Sequence, residues 1–242
     1  DLIQFLQQSG YNPNEQLGRS DEAQLAKIMR ADDYIRGQVT KVGEVYRVDA
    51  WLVLTRDNSL SQPLPPSEGT RPDRAVSDLV KSIQDARKQL DNEKKCIDNA
   101  RSEKYAEAVK AADEGIADYP KATLVRYCKL NVLVRQKAAQ PALLAMANEI
   151  LAIDPNSKNA LAIAADAQKA AGNIEEANTL MVRLLATDPT NANLATQVVD
   201  GLAASKNWTV AKEIVLKAVA ENPGDVGLVS LQYKILAAAG DY

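Results

Sequence analysis

Four prolines recur at nearly constant intervals, and this spacing constrains the fold more than any other feature of the sequence. Pro120, Pro155, Pro189 and Pro223 are separated by 35, 34 and 34 residues. Each follows an amphipathic stretch: EGIADYP, EILAIDP, RLLATDP and KAVAENP. Proline lacks an amide hydrogen and clashes with the preceding helical turn, so it ends a helix. A fixed period of this length predicts stacked structural repeats rather than a helical bundle with irregular loops.

Each repeat contains two stretches of helix length that are joined by a short turn. In NALAIAADAQKAAGNIEEANTLMVRLLATDP the turn is Gly172-Asn173, and apolar residues stand three or four apart on both sides of it. Tyr242 would begin the second stretch of a fifth repeat, as Ile174 does in the third. Small residues recur at one equivalent position, where paired helices approach closely: Ala108, Ala177 and Ala211.

These residues make the chain from about residue 89 resemble the tetratricopeptide repeat family. That family has a 34-residue helix–turn–helix unit with a small residue at the twentieth position and proline at the thirty-second. The repeats fall at residues 89–122, 123–157, 158–191 and 192–225, with a partial repeat at 226–242. In the second repeat Leu143 replaces the expected small residue. The resemblance implies a mainly α fold, a right-handed α-solenoid of four repeats and a half.

The amino-terminal residues 1–62 follow a different pattern, which predicts a small α+β domain. DEAQLAKIMR, residues 21–30, is amphipathic and helical. Strict alternation of apolar residues from Tyr46 to Leu54 indicates a half-buried strand, and Gly43 supplies the turn that pairs residues 33–41 with 44–56. Since a hairpin alone cannot bury its face, we expect further strands from residues outside this sequence or from another chain.

A proline-rich segment follows this hairpin. Residues 63–72 include Pro63, Pro65, Pro66 and Pro72, and they predict a linker without regular structure. Apolar residues every three or four positions then predict a connecting helix over residues 73–88.

The stretch ADDYIRGQVTKVGEVYRVDAWLV resembles the amino-terminal α/β domain of TolB-like proteins and curli-secretion lipoproteins, as do residues 1–60 more loosely. An unrelated α+β domain is the alternative. Such domains commonly belong to bacterial cell-envelope proteins, so the resemblance implies a periplasmic, extracellular or envelope location, with the cytoplasm as the alternative.

Residue types needed for catalysis or metal binding are scarce in this chain. It has no histidine and two cysteines, which removes the commonest general base and any cluster of Cys and His around zinc. Glycine-rich phosphate loops, nucleophile elbows and calcium loops are absent from the sequence. We therefore expect no enzyme activity and no cofactor. A net charge of −3 and few aromatic residues argue against nucleic-acid binding, and no apolar stretch is long enough to span a membrane.

Cys96 and Cys128 fall in the first helical stretches of neighbouring repeats. They could form a disulfide in an oxidising compartment, or remain two small buried thiols at close helix contacts. We favour buried thiols, because the geometry of a disulfide between two helices is demanding.

The first helix of each repeat is expected to line the concave wall of the solenoid, a candidate protein-binding surface. Polar and small residues of both charge signs dominate its predicted members: Val125, Cys128, Val132, Arg135, Asn159, Ala162, Asp166, Lys169, Asn193, Thr196, Asp200, Ser230 and Lys234.

The sequence thus predicts a non-catalytic scaffold that binds a protein partner, either a peptide or a helix, in the cell envelope. The alternative is a structural subunit that associates with copies of itself into an oligomer or filament. It would assemble through the sheet edge and through the last half repeat, where Leu228, Leu231, Ile235 and Leu236 require cover.

Overall fold

The computed structural model describes residues 2–12 and 17–240, and Tyr242 lies outside these residues. Helices dominate, and one small antiparallel sheet lies near the amino terminus. The strands are β1 (Asp33–Val42), β2 (Val45–Leu54), β3 (Asp57–Pro63) and β4 (Ser67–Gly69). The helices before the repeats are α1 (Leu2–Gln8), α2 (Arg19–Ile28) and α3 (Pro72–Arg87). The helices of the repeats are α4 (Leu90–Arg101), α5 (Tyr105–Asp118), α6 (Leu124–Arg135), α7 (Gln140–Ile153), α8 (Lys158–Ala170), α9 (Ile174–Ala186), α10 (Ala192–Ala204), α11 (Trp208–Glu221) and α12 (Val226–Ala239).

The chain divides into two compact units. One comprises Asp1–Asp91 together with Gly115–Leu124, and the other comprises Asn92–Glu114 together with Val125–Tyr242. The predicted class, repeated helical hairpins preceded by a small α+β region with an antiparallel hairpin, is confirmed.

The β1–β2 hairpin forms as the alternation of apolar residues predicts. Gly43 has φ 61°, a conformation that glycine adopts at little cost, and it stands in the turn between the strands. From Asp33 opposite Leu54 to Val42 opposite Val45 the two strands pair residue by residue. Val48 and Leu52 are buried on one face, so the half-buried strand is confirmed.

The expectation that the sheet borrows strands from elsewhere is wrong, because the chain itself supplies β3 and β4. Both strands pair antiparallel with β2, β3 along its carboxyl-terminal half and β4 along its amino-terminal half. Segment 63–72 is therefore not an irregular linker throughout. Its prolines stand at the end of a strand or between strands, where proline is tolerated. Pro63 is the last residue of β3, opposite Trp51, and Pro65-Pro66 lie between β3 and β4.

Helix α3 covers part of this sheet. It begins at Pro72, whose missing amide hydrogen costs nothing in the first helical turn, and it packs against β2 and β4. Ser67 Oγ donates to the carbonyl oxygen of Ala75, which fixes β4 to the first turn of the helix. Ala75, Leu79 and Ala86 form its buried face.

Two buried glutamines bind residues 121–124, a contact with the end of β3 that no sequence pattern predicted. Gln62 Oε1 accepts hydrogen bonds from the backbone N–H of Thr123 at 2.6 Å and from Gln89 Nε2 at 2.9 Å. Gln62 Nε2 donates to the carbonyl oxygen of Lys121 at 2.9 Å, and Gln89 Oε1 accepts the backbone N–H of Leu124 at 3.0 Å. The two side chains thereby satisfy amides at the start of α6 that have no partner within the helix.

From α4 onward, helices alternate as first and second helix of successive hairpins, and each of the four repeat prolines stands two or three residues after a second helix. The turn within each of four hairpins contains one residue in the left-handed region: Glu103 (φ 57°), Lys137 (φ 52°), Gly172 (φ 82°) and Lys206 (φ 58°). Gly240 (φ 80°), which caps α12, has the same conformation. These residues are 34, 35, 34 and 34 positions apart, so the period predicted from the prolines is present in the backbone itself.

The small residues of the second helices are buried as predicted, with exposures of 0% at Ala108, 4% at Ala177 and 0% at Ala211. The preference for free thiols is wrong: Cys96 and Cys128 form a disulfide that joins α4 to α6. Their Cα atoms are 6.3 Å apart, a separation within the usual range for bridged cysteines. Sequence spacing alone did not indicate that these two first helices approach so closely.

Candidate protein-binding surface

The left-handed turn residues give a common register for the first helices, and this register fixes which side chains are equivalent. Six residues before the turn residue stand Asn131, Asp166, Asp200 and Lys234 in α6, α8, α10 and α12. All four are exposed. Ten residues before it stand Tyr127, Ala162, Thr196 and Ser230, and thirteen before it stand Leu124, Asn159, Asn193 and Gly227. Residues at these three positions share one helical face, because they are three or four or seven apart.

In α8 and α10 this face is polar and accessible. Asn159, Asp166 and Lys169 are exposed on α8, and Asn193 and Asp200 are exposed on α10. The opposite side of each helix is apolar and buried, with Leu161 and Ala164 in α8. Ser157 Oγ accepts the N–H of Ala160 at the start of α8, and Asn191 Oδ1 accepts the N–H of Leu194 at the start of α10. These caps begin both helices at equivalent places, so the two polar faces are in register.

Asp166 and Asp200 are the acidic groups of this face. Within the described residues, neither carboxylate is part of a salt bridge, whereas Asp188 pairs with Lys158 Nζ at 3.1 Å and Asp113 pairs with Lys129 Nζ at 2.6 Å. The face therefore presents two unneutralised negative charges one repeat apart, flanked by the exposed Lys169 and Lys234.

The remaining predicted members lie as follows. Arg135, Ser230 and Lys234 are exposed, Ala162 is half-buried, and Cys128 is buried in the disulfide. Thr196 is half-buried and donates its hydroxyl hydrogen to the carbonyl oxygen of Ala192 at 3.0 Å.

Three predicted members of the surface are wrong. Val125 and Val132 are both 0% exposed and belong to the core, and Cys128 is 6% exposed in the disulfide. The error at Val125 and Val132 comes from the second repeat, which has 35 residues, because counting 34 positions back from Asn159 and Asp166 stops one residue short of the equivalent residues. Counting from Pro120 instead gives Leu124 and Asn131.

The surface residues that the sequence analysis missed in the second repeat are Asn131 and Val134, both exposed. The signal was available, since Pro120 and Pro155 are 35 residues apart. The extra residue lies between the turn residue Lys137 and the start of α7. Leu143 still stands at the small-residue position, three residues after the start of α7, and the structure gives no reason for a leucine there.

An open cavity of about 410 Å³ lies elsewhere in this unit, between α9, α10 and α11. Its walls include Glu175, Asn178 and Arg183 from α9 and Ser205 from the turn after α10. Asn178 Nδ2 donates to the carbonyl oxygen of Gly201 and to Ser205 Oγ, at 3.2 and 3.0 Å, and Arg183 donates to the carbonyl oxygen of Pro155. These groups join adjacent repeats, so the cavity is explained by repeat packing.

Residues 2–12 and 17–240 contain no group of three or more potential metal ligands. In the same part of the chain, no helix is both long and apolar enough to cross a membrane.

No protein-family model matches the sequence, and no curated protein is significantly similar to it. Among solved structures the chain is similar to helical-repeat proteins. MamA is 12% identical over 64% of this chain and 84% of its own, with a TM-score of 0.47. A tetratricopeptide repeat protein from Parabacteroides merdae is 15% identical over 64% of this chain and 62% of its own, with a TM-score of 0.48.

The first TPR of Spaghetti (RPAP3), bound to the HSP90 peptide SRMEEVD, is 20% identical over 50% of this chain and 96% of its own, with a TM-score of 0.43. The assignment of helical repeats does not rest on these structures, whose identities and TM-scores are low. It rests on the regular spacing of turns, prolines and buried alanines in this chain. The resemblance of residues 1–60 to TolB-like domains stays a prediction.

Proposed function

We propose that this protein is a non-catalytic scaffold that binds an extended segment of a partner protein along the first helices α8, α10 and α12. One observation carries the proposal: on α8 and α10 the equivalent side chains Asn159 with Asn193, and Asp166 with Asp200, are exposed and polar, while the opposite sides of both helices are buried. The exposed Lys234 continues the series on α12, so each repeat offers the partner an equivalent position one repeat further along the surface.

The chemistry of these positions favours a basic peptide. Asp166 and Asp200, which form no salt bridge with any residue that the structure describes, place two exposed carboxylates one repeat apart. A lysine or arginine side chain would form charge-assisted hydrogen bonds with them. Asn159 and Asn193 lie two turns away on the same face, and their amides can both donate to and accept from a peptide backbone. Charges at such positions contribute more to the choice of partner than to the affinity of binding.

Selection of binders from a random peptide library displayed on phage tests this proposal. We expect the enriched peptides to carry lysine or arginine, and their synthetic forms to bind at least about tenfold more weakly to Asp166→Lys and Asp200→Lys. Glu213→Lys is the matched control, because it makes the same charge change on the exposed face of a second helix, α11. Failure to enrich any peptide, or equal weakening by all three variants, would contradict the proposal.

We also propose an oxidising location, in keeping with the cell envelope. Support comes from the Cys96–Cys128 disulfide, because thiol-reducing systems keep such bonds from persisting in the cytosol of most organisms. Acid quenching of native cells followed by thiol alkylation tests this: we expect both cysteines to be blocked from alkylation. Full alkylation without prior reduction would instead favour the cytoplasm.

Self-association is a second candidate function, favoured by the outer edge of β1. In the described part of the chain β1 pairs with β2 alone, and Ile35, Val39 and Val42 are 38%, 59% and 63% exposed. A long edge strand with exposed apolar residues is a template for pairing with a second copy. Sedimentation velocity of the wild-type chain and of Val39→Lys tests it, and a monomer at all concentrations would exclude it.

A further inference from the structure

Strand β1 has an open outer edge in the described part of the chain, where it pairs with β2 alone. The loop of the β1–β2 hairpin has two residues, so Val42 and Val45, which flank it, form a hydrogen-bonded pair. Hydrogen-bonded and non-hydrogen-bonded pairs alternate along the two strands. The backbone N–H and C=O groups of the odd-numbered residues therefore point toward the open edge: Asp33, Ile35, Gly37, Val39 and Lys41.

The side chains of these odd-numbered residues all lie on the face of the sheet that α3 covers. Val39 stands opposite Val48 of β2, and Val48 stands opposite Ser67 of β4, whose hydroxyl donates to Ala75 of α3. At the other end of α3, Arg87 donates to Asp33 Oδ2 at 3.1 Å. Helix α3 therefore crosses the sheet from β4 to the first residue of β1.

Apolar side chains on this face are left exposed between β1 and α3. Ile35 and Val39 of β1 are exposed, and Val76 and Val80 of α3 are 45% and 48% exposed. The two valines of α3 share one side of the helix with Arg87, because Val76 and Val80 are four residues apart and Arg87 follows Val80 by seven. The ion pair of Arg87 with Asp33 directs this side toward β1. One apolar patch thus joins the strand edge to the helix.

The open edge of β1 complements a second copy of itself in one antiparallel register, which has a two-fold axis at Gly37. In this register Asp33 stands opposite the partner's Lys41, and Ile35 stands opposite the partner's Val39. Each of these pairs occurs twice because of the symmetry. All the outward-pointing backbone groups of the odd-numbered residues are then paired.

The neighbouring registers are less favourable. A shift by two residues keeps the backbone groups paired, but in one direction it sets Arg36 opposite the partner's Arg36. In the other direction it sets Ile35 opposite the partner's Lys41. Like charges directly opposite each other destabilise a pair of strands, whereas opposite charges and apolar pairs stabilise it. Charge and apolar surface therefore select the register centred on Gly37.

We propose that β1 pairs with β1 of a second copy about a two-fold axis at Gly37, so that the two sheets form one. The inference rests on the proposed self-association and specifies its contacts. Both α3 helices then lie on the same face of the joined sheet, and their Val76–Val80 sides face each other across the axis.

The symmetry makes the assembly a closed dimer. A two-fold contact uses the same edge of both copies, so it leaves no β1 edge for a third. At the other edge of the sheet, β4 has three residues and β3 ends at Pro63, features that discourage further pairing. The last half repeat, the other surface predicted to assemble, already buries Leu228 and Ile235 in the core cluster of α10 and α11.

Cross-linking between introduced cysteines tests the register. Gln38→Cys and Thr40→Cys are suitable because both positions are exposed on one face and the native cysteines form a disulfide. From the rise per residue and the strand spacing, the two copies of residue 38 lie about 8 Å apart and those of residue 40 about 21 Å apart. We expect a bismaleimide that spans about 8 Å to convert Gln38→Cys, but not Thr40→Cys, into a covalent dimer. Gly37 is kept, because a Cβ there would lie 2.9 Å from the carbonyl oxygen of Asp49.

The charge pairs give a second test. Lys41→Glu replaces two pairs of opposite charges with two pairs of like charges, so the dissociation constant of the dimer should rise at least about tenfold. Lys217→Glu is the matched control, because it makes the same charge change at an exposed position of α11. Sedimentation velocity over a range of concentrations measures both variants.

The outcomes separate this inference from the self-association on which it rests. A wild-type chain that is monomeric at all concentrations would overturn both. A dimer that cross-links through Thr40→Cys, or through neither cysteine, would overturn the register and leave self-association standing. A dimer that Lys41→Glu and Lys217→Glu affect equally would also overturn it, because the partner's Lys41 would then not stand opposite Asp33.

Discussion

Tyr127 of α6 donates its phenolic hydrogen to Ser157 Oγ over 2.7 Å, and Ser157 Oγ also accepts the N–H of Ala160 at the start of α8. Both side chains are buried. The bond therefore links the first helix of one repeat to the cap of the next first helix. Burial, and then the negative charge of Asp154, raise the pKa of Tyr127 well above its usual range.

Tyr127→Phe should lower the free energy of unfolding by about 1 kcal/mol, because it removes one buried hydrogen bond and keeps the ring. Urea denaturation at pH 7 measures the difference. Tyr233→Phe is the control, since Tyr233 is largely exposed and should lose almost nothing. Equal effects of the two substitutions would show that the bond to Ser157 does not contribute.

The same tyrosine gives the protein a dependence on alkaline pH. Its pKa is raised in the fold, so its stabilising contribution is complete below the unfolded value of about 10 and is lost as pH rises toward the folded value. The stability difference between wild type and Tyr127→Phe should therefore shrink above about pH 10. A stability difference between the two proteins that grows above pH 10 would contradict this prediction.

Asp154→Asn should stabilise the protein at neutral pH. Burial raises the pKa of Asp154, against an opposing effect of its hydrogen bond from the backbone N–H of Asn156. Its negative charge also stands at the carboxyl end of α7, where the helix dipole disfavours it. Asparagine keeps an oxygen acceptor for Asn156 and removes the charge.

The pH dependence of the Tm shows whether Asp154→Asn stabilises the protein by removing an ionised carboxylate. Because the folded pKa is raised, the contribution of Asp154 is present below about pH 4 and is lost as pH rises through the folded value. Asp154→Asn should hence have a higher Tm than wild type at pH 7 and the same Tm at pH 3. An equal gain at both values would mean that ionisation is not the reason.

The repeat fold could be predicted from the sequence because proline, glycine and alanine act locally. Pro155 ends a helix, Gly172 permits a left-handed turn, and Ala177 allows a close contact, each through its own covalent structure. The structure adds that Lys137 and Lys206 take the left-handed position without being glycine, at a cost that the repeat packing offsets.

Long-range contacts could not be predicted in the same way. Gln62 and Gln89 look like ordinary surface residues in the sequence, yet both are fully buried around Thr123, 61 positions after Gln62. Nothing in their neighbours encodes a partner so distant along the chain. The misplacement of Val125 and Val132 has a different origin, since one extra residue in a turn moves every later position to another helical face.

Reduction of the Cys96–Cys128 disulfide should destabilise the repeats. The bond closes a loop over a separation of 32 residues, for which the loss of loop entropy predicts about 3–4 kcal/mol. We expect the Tm to fall on addition of a phosphine reductant. The double variant Cys96→Ala with Cys128→Ala should have a similarly low Tm and show no response to the reductant. A wild-type Tm that stays the same after complete reduction would show that the disulfide does not stabilise the protein.

Ala177→Trp should lower the free energy of unfolding by about 1–3 kcal/mol or more, because Ala177 is 4% exposed on α9 and a large ring cannot fit there. Lys169→Trp is the matched control: it introduces the same side chain on the exposed face of α8, in the same repeat, and should be nearly neutral. Urea denaturation of the two variants compares them directly. Equal destabilisation would place residue 169 in the core, and the register that assigns Asp166 and Lys169 to the candidate surface would then be wrong.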